Sequence, residues 1–557
     1  MIIRIKTVAA CLLVLISAGC GVGVDELTTG PDPQKAAAVA AIVASPDTPA
    51  QVAAKNNAKR FLDQATYGPT LEDIDKVVNT GVEAWVDEQL QMPPTLMLPA
   101  MRSIKNHRWN EYVNLWWRNS ITADDQLRQR VAFALSEIFV ISARDGLSEE
   151  QLGLSNYYDI LVRNAFGNYR ALLQEVTLNP IMGAYLSMKG NHKPDPEQNI
   201  RPDENYAREL LQLFSIGLVQ LNTDGSVITD ASGTPVPTYD QDIVEAFAHV
   251  FTGWNFSNAD HFLWPSTTDY LNPMVAYPRY HATRPKTLLN GTVLPKGQTP
   301  EQDLDQALDN IFAHPNVGPF ISRQLIQKLV TSNPSPQYIE DVATVFNSNA
   351  DGIRGDLGSV IRAILLHDEA RNGHTYNPTT FGKLKEPVLR VTALWRAFKP
   401  GSIPASFNYS WVGTELGQSP LNSPSVFNFF TPFFSQPGEI QDRGLVSPEF
   451  EILDETSIIT LTNRMLANSI WSHNYQYESD EHRIALNIDL EVALEEQNRE
   501  RLLSHLDTLL LGGRMTDEMK QEIRTLMNGY DHESAGPQRV IESIFLIVSS
   551  PAAAIQI

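Results

Sequence analysis

Five polar residues of one short segment fall on a single face: Glu204, Asn205, Arg208, Glu209 and Gln212, within PDENYARELLQLFSIGL. On a helix, at about 100° per residue, they share one arc, and Tyr206, Ala207, Leu210, Leu211, Leu213 and Phe214 take the opposite one. Two carboxylates beside an amide and a guanidinium suit three uses: holding a metal, positioning a substrate, or salt-bridging to a neighbouring helix. No nucleophile-plus-base spacing in the segment chooses among them, so its residues do not spell out a reaction.

A second charged cluster, GKLKEPVLR, packs Lys383, Lys385, Glu386 and Arg390 into the entry of one helix, with Pro387 in the first turn where a missing N–H costs nothing. Such groups suit an anion, or an internal ion-pair network with the Glu204 helix. Glu204, Arg208, Glu209, Lys385, Glu386 and Arg390 are therefore the catalytic candidates for a carboxylate-dependent hydrolase, metal-assisted or not. For metal, the histidines to weigh are His192, His249, His261 and His281, none at the i, i+4 spacing of a helical zinc pair. A composite of His192, Glu204, Glu209 and His281 is the candidate, against hydrogen-bonded structural histidines. The chain lacks HExxH, GxSxG, GxGxxG and P-loop motifs, so no cofactor is specified. NSNADGIRGDLGS begins like a calcium loop, but its twelfth position is Gly358 and not a bidentate Glu, so it reads as a turn whose Asp356 caps the next helix. SPLNSPSVFNFFTPFF, from Ser419, joins prolines to aromatics as an irregular buried segment would, with stacking against a polymer as the alternative.

Helical periodicity dominates the elements that must hold these residues. It predicts helices at 58–64, 70–91 with a break at Gly81, 108–120, 122–142, 156–164 and 168–177, then at 302–313, 318–330, 336–347, 356–366, 384–398, 452–469, 490–511, 516–528 and 537–549. Between Leu218 and Tyr239 the turn signals Asp224-Gly225 and Ser232-Gly233 predict one or two short β-hairpins. The fold class expected is mainly α: a single large multi-helix domain over residues 58–557.

Ahead of it, Arg4 and Lys6 precede the apolar run Val8–Ile16 and then Ser17-Ala18-Gly19-Cys20, the pattern of an export signal of lipoprotein type over residues 1–19. Cys20 is the expected lipidation site, and Gly21 behind it, in place of Asp, points to an outer-membrane or surface address. Residues 20–57, rich in Ala, Pro, Asp and Gln, read as a tether. The only cysteines are Cys11 and Cys20, so the domain can form no disulfide and must be stabilised by core burial. A net charge of −22 argues against nucleic-acid binding.

Seven segments occur in an order that resembles the bacterial domain-of-unknown-function-1800 family: RFLDQATYGPTLEDI, ENYARELLQLFSIG, QDIVEAFAHVFTGW, PFISRQLIQKLVTSNPSPQYI, GDLGSVIRAILL, GKLKEPVLR and SPSVFNFFTP. The resemblance implies an exported protein without an established general activity. It also implies a partner, since members are often encoded beside a domain-of-unknown-function-1501 protein, a type that resembles alkaline phosphatases and sulfatases. The family commonly has Arg where this chain has His249, and His-Asp where it has His281-Ala282. The leading expectation is a lipid-anchored cell-envelope protein acting with that partner on an envelope or extracellular substrate; the hydrolase above and a structural surface protein are the alternatives.

Overall fold

Helix-start chemistry is visible from the first turn of the domain. In the computed structural model, Thr48 and Gln51 form a reciprocal capping box that opens the helix Pro49–Ala65, ahead of the expected boundary at Ala58. The later part of that helix buries Phe61, Leu62 and Ala65. The structure describes residues 33–557 except 106–107, 109–110, 145, 400–402, 404–408, 410–411, 472–483 and 531–534, so the expected signal segment and Cys20 lie outside the described residues. Residues up to Pro46 and those from Asp47 onward form two separate units; the first carries the helix Pro33–Ala44, built from the alanine run of the expected tether.

The larger unit is mainly α, with three short two-stranded antiparallel sheets among the described residues. Thr70 and Asp73 form the second capping box, and Gly81, at φ +87°, separates the helices Leu71–Thr80 and Val82–Gln91. The helix Pro336–Asn347 has the predicted bounds. Between Leu218 and Tyr239 the chain turns at Gly225 and Gly233, and the bridges Val219–Pro237, Leu221–Val227 and Thr229–Pro235 make it a small hairpin meander.

Where periodicity misplaced an end, a competing hydrogen bond explains it. The predicted helix 122–142 is observed only over Gln126–Ser136. At its start, the Gln126 amide donates to the carbonyls of Ser120 and Ala123, closing the preceding helix Glu111–Thr122. Beyond its end, Ser142 bridges to Asn422 and the Ala143 N–H donates to Leu421, so these backbone groups serve a distant segment and not an i−4 ladder. The predicted helix 490–511 breaks at Asn498, whose side chain accepts from the N–H groups of Glu500 and Arg501 and starts a new helix, Arg499–Leu506. Asp356 stands at the N-cap position as expected, yet its carboxylate accepts from Asn349 and Ser359 instead of capping a helix N–H. The helix Asp368–Tyr376 was not predicted, because DEARNGHTY carries almost no apolar stripe.

The C-terminus is woven into the GKLKEPVLR segment. Lys383–Leu384 pairs antiparallel with Ile555–Gln556, and the Gln556 amide donates to the carbonyls of Leu329 and Val330 at 2.7 and 3.1 Å. Gly382, at φ +112°, sits so close that a Cβ there would lie 2.6 Å from the Gln556 carbonyl oxygen. No helix among the described residues is long and apolar enough to cross a membrane.

Candidate functional site

The Glu204 face is formed as predicted along its apolar arc, with Tyr206, Ala207, Leu210, Leu211 and Phe214 buried. Its polar arc is divided. Glu204 accepts from Arg208 and from the Gln241 amide, both at 2.9 Å, in a pair 33–41% exposed at the side chains. Glu209, by contrast, is buried; one of its carboxylate oxygens has no partner among the described residues, and burial raises its pKa against the pull of Arg208. The helix Gln241–Val250, packed against the helix Asn205–Gln212, covers this end of the arc.

The histidines do not assemble with these acids. His192 contacts its neighbour's carbonyl oxygen and packs against Phe262 and Tyr280. His281 is fully buried, with Nε2 2.8 Å from Asp303 and Nδ1 2.8 Å from the Thr252 carbonyl. Asp303 also pairs with Lys286, whose Nζ in addition donates to the Ala282 carbonyl at 2.6 Å. Thus Asp303 supplies the carboxylate beside His281 in a chain that has Ala282 next to it. His249 faces Arg284 at 3.4 Å, and burial, then Arg284, Lys286 and His281, bring its pKa down to about 4, so its ring is neutral. Exposed His261 takes no part. No group of three or more His, Cys, Asp or Glu side chains that could hold a metal occurs among the described residues.

The GKLKEPVLR charges do form an internal network, but their partners lie away from the Glu204 helix. Lys385 pairs with Asp63 at 2.9 Å, and Arg390 donates to the Val548 carbonyl at 3.0 Å. Lys383 pairs with Glu449 at 2.8 Å. Glu386, at the N-cap of the helix Pro387–Ala397, is fully buried beside Glu137, the residue that ends the helix Gln126–Ser136.

This acid pair is the chemical centre of a wholly buried cluster that also holds Arg130, Lys328, Lys383 and Glu449. Gln418 organises it: its Oε1 accepts from the Val388 N–H at 3.3 Å, and its Nε2 donates to Glu386 at 2.6 Å, with a longer 3.5 Å contact to Glu137. The second Glu137 oxygen lies 3.3 Å from Lys328 Nζ, which sits over the Phe430 ring. Arg130 donates to the Lys328 carbonyl at 2.6 Å, while its Nε and Nη1, and Oε2 of Glu449, have no partner among the described residues.

Electrostatics separate the two acids. Burial, then the charge of Glu386, push the Glu137 carboxyl up to about 8, with Lys328 and Lys383 pulling the other way. Burial acts on Glu386 too, but Lys383, Arg130 and Lys328 outweigh it and hold Glu386 below its ordinary value. The two carboxyls act on each other, and these opposite shifts favour the proton on Glu137 over Glu386; Glu386 Oε1 has no hydrogen-bond partner among the described residues. Glu137 also lines a small cleft together with Asn422, Ser423, Asn428 and Phe429, and the Asn428 amide lies 3.4 Å from its carboxyl. The segment supplying those residues is irregular as predicted, though Phe427 and Phe433 are exposed and not buried.

Of the predicted candidates, only Glu386 belongs to this centre. Glu137, Arg130, Lys328 and Glu449 were missed. A signal for two of them was present: in LRQRVAFALSE, Arg130 and Glu137 flank the apolar stretch VAFAL, and charge on a buried helix needs a partner. The cluster draws on three of the segments that carry the family resemblance, through Lys328, through Lys383 and Glu386, and through Asn428.

A family model described as Protein of unknown function (DUF1800) matches residues 60–555. No curated protein and no solved structure matches the chain. The chain belongs to the DUF1800 family.

Proposed function

We propose that this family member is a cell-envelope hydrolase that cleaves an ester or amide by general-acid chemistry at Glu137. The observation that carries the reading is the Glu137 carboxyl lining a cleft beside Glu386, where burial and its neighbour's charge raise its pKa. A carboxylic acid still protonated at neutral pH can give its proton to a carbonyl oxygen or leaving group as water adds, and recover one from that water. Glu386 acts as a positioning residue, since its negative charge keeps the proton on its neighbour.

The envelope setting rests on Arg4, Lys6, the apolar run and Ala18-Gly19-Cys20, with a diacylated Cys20 as the anchor, at the outer membrane or in the periplasm. The partner in this reading is a domain-of-unknown-function-1501 protein working on the same envelope or extracellular material. A structural reading of the acid pair has one observation in its favour, the complete burial of Arg130 and Glu386.

Chromogenic esters, amides and glycosides assayed with the purified protein separate the two readings. Turnover of an ester or amide, falling as pH rises through about 8 and lost in Glu137→Gln without loss of fold, is expected. Turnover of none of these classes, or full activity in Glu137→Gln, would overturn the hydrolase reading.

A further inference from the structure

A second cleft in the same domain has an excess of positive charge. Lys59, Lys385 and Arg390 line it, together with Leu394, Leu510 and Val548. The carboxylate among these cations is Asp63, 2.6 Å from Lys59 Nζ and 2.9 Å from Lys385 Nζ. Arg390 has no acid partner among the described residues and donates instead to the Val548 carbonyl. Arg514 lies close enough for its charge to act on Lys59, and it too spends its donors on carbonyls, those of Leu511 and Ile555 at 2.9 Å each.

Lys59 and Lys385 thus share one carboxylate, with Arg390 on the same cleft and Arg514 near Lys59, in a chain whose net charge is −22. Lys59 and Lys385 are almost entirely withdrawn from water, so their mutual repulsion is weakly screened. The effect on Lys59 is direct: burial, then the nearby Lys385 and Arg514 charges, outweigh Asp63 and bring its pKa down to about 7. Burial likewise lowers Arg390 to about 10. None of the residues lining the cleft is acidic; Asp63 pairs with Lys59 and Lys385, and Asp507 acts on Arg514.

We propose that this cleft binds a small divalent oxyanion group, phosphate or sulfate, between Lys59, Lys385 and Arg390. Lys385, Arg390 and the partly protonated Lys59 outweigh Asp63, and a divalent anion, which also draws a proton onto Lys59, gains more from that excess than a monovalent one. A guanidinium and two ammonium groups present only donors, and they match tetrahedral oxygens by charge-assisted hydrogen bonds. The apolar side of the cleft limits competing water. The site is distinct from the Glu137 pair and does not depend on the hydrolase reading.

Calorimetric titration of the protein with inorganic phosphate and with sulfate, chloride holding the ionic strength constant, tests the site. Saturable binding is expected, with the affinity lowered at least about tenfold in Arg390→Gln and in Lys59→Met by loss of a charge-assisted contact. Arg170→Gln, at an exposed ion pair with Asp305 and Asp309, serves as the control and binds like wild type. Phosphate is also expected to raise the Lys59 pKa, read by NMR of the isotopically methylated amine. Absence of saturable binding to wild type overturns the proposal whatever the variants do, as does undiminished binding by Arg390→Gln. Glu137→Gln retains the anion site, so failure of one proposal leaves the other standing.

Discussion

Replacing Glu137 with Gln separates a protonated acid from an ionised structural one, because the amide keeps the size and a donor of the neutral carboxyl and cannot lose a proton. The Glu137 pKa is raised from 4.5 to about 8. A carboxyl whose folded pKa exceeds its unfolded value binds its proton more tightly in the folded state. The stability it contributes is therefore complete below the unfolded pKa and is lost as pH rises through the folded one. At 1.36 kcal/mol per unit the whole shift is worth roughly 5 kcal/mol. Glu386, held below its ordinary value, is ionised in folded and unfolded chains alike over that range, so it takes nothing off the loss, which remains on the order of a few kcal/mol.

The melting entropy of a domain this long is about 1 kcal/mol/K, so each kcal/mol of that loss becomes about 1 °C of melting temperature. Differential scanning calorimetry of both proteins in parallel, from about pH 5 to about pH 9, measures it as a difference that cancels every other titrating group. Wild type and Glu137→Gln are expected to coincide at the acid end, with the variant the more stable at the alkaline end. A variant less stable than wild type at every pH, by a constant amount, would refute the reasoning. It would show that Lys328 needs an ionised partner throughout and that no proton is stored at the pair.

Arg208→Ala is expected to cost no more than about 0.5 kcal/mol in chemical denaturation, since its pair with Glu204 is a half-exposed i, i+4 contact. Asp303→Ala is expected to cost about 3–5 kcal/mol by the same measurement, because it strands the buried Lys286 ammonium without its carboxylate. Cys20→Ala is expected to shift the protein from the membrane to the soluble fraction with its melting temperature unchanged; wild-type recovery in the membrane fraction would contradict the anchor.

Much of the fold was legible because its cues are local. Thr70 with Asp73, Gly81, Asp224-Gly225 and the three-to-four-residue spacing of apolar residues within Pro336–Asn347 act over a few residues, and the chain obeyed them. The errors came where a polar side chain took a backbone carbonyl outside the expected helix ladder, Gln126 those of nearby Ser120 and Ala123, Ser142 that of distant Ser423. The candidate site follows the same division. GKLKEPVLR announced a charged centre, but nothing within nine residues could say that Lys385 turns to Asp63 while Lys383 and Glu386 turn to Glu449 and Glu137. Glu137 and Lys328 are 191 positions apart, and no periodicity reaches that far.

The Glu204 face was the more conspicuous in sequence because its charges repeat at helical spacing, and that regularity is itself informative. Charges at i and i+4 can neutralise one another on the surface, as Glu204 and Arg208 do, and require nothing else of the fold. A charge set in an apolar run has no such local remedy; burying it is tolerable only if the chain brings an opposite charge, a proton or a ligand to it. Arg130 and Glu137, at the two ends of the apolar stretch 131–135, are such charges; Lys59 has Asp63 at i+4 but must share it with Lys385. These residues lead to the two places where the domain holds a proton on a carboxyl and leaves cations in excess, which is where its chemistry should be sought.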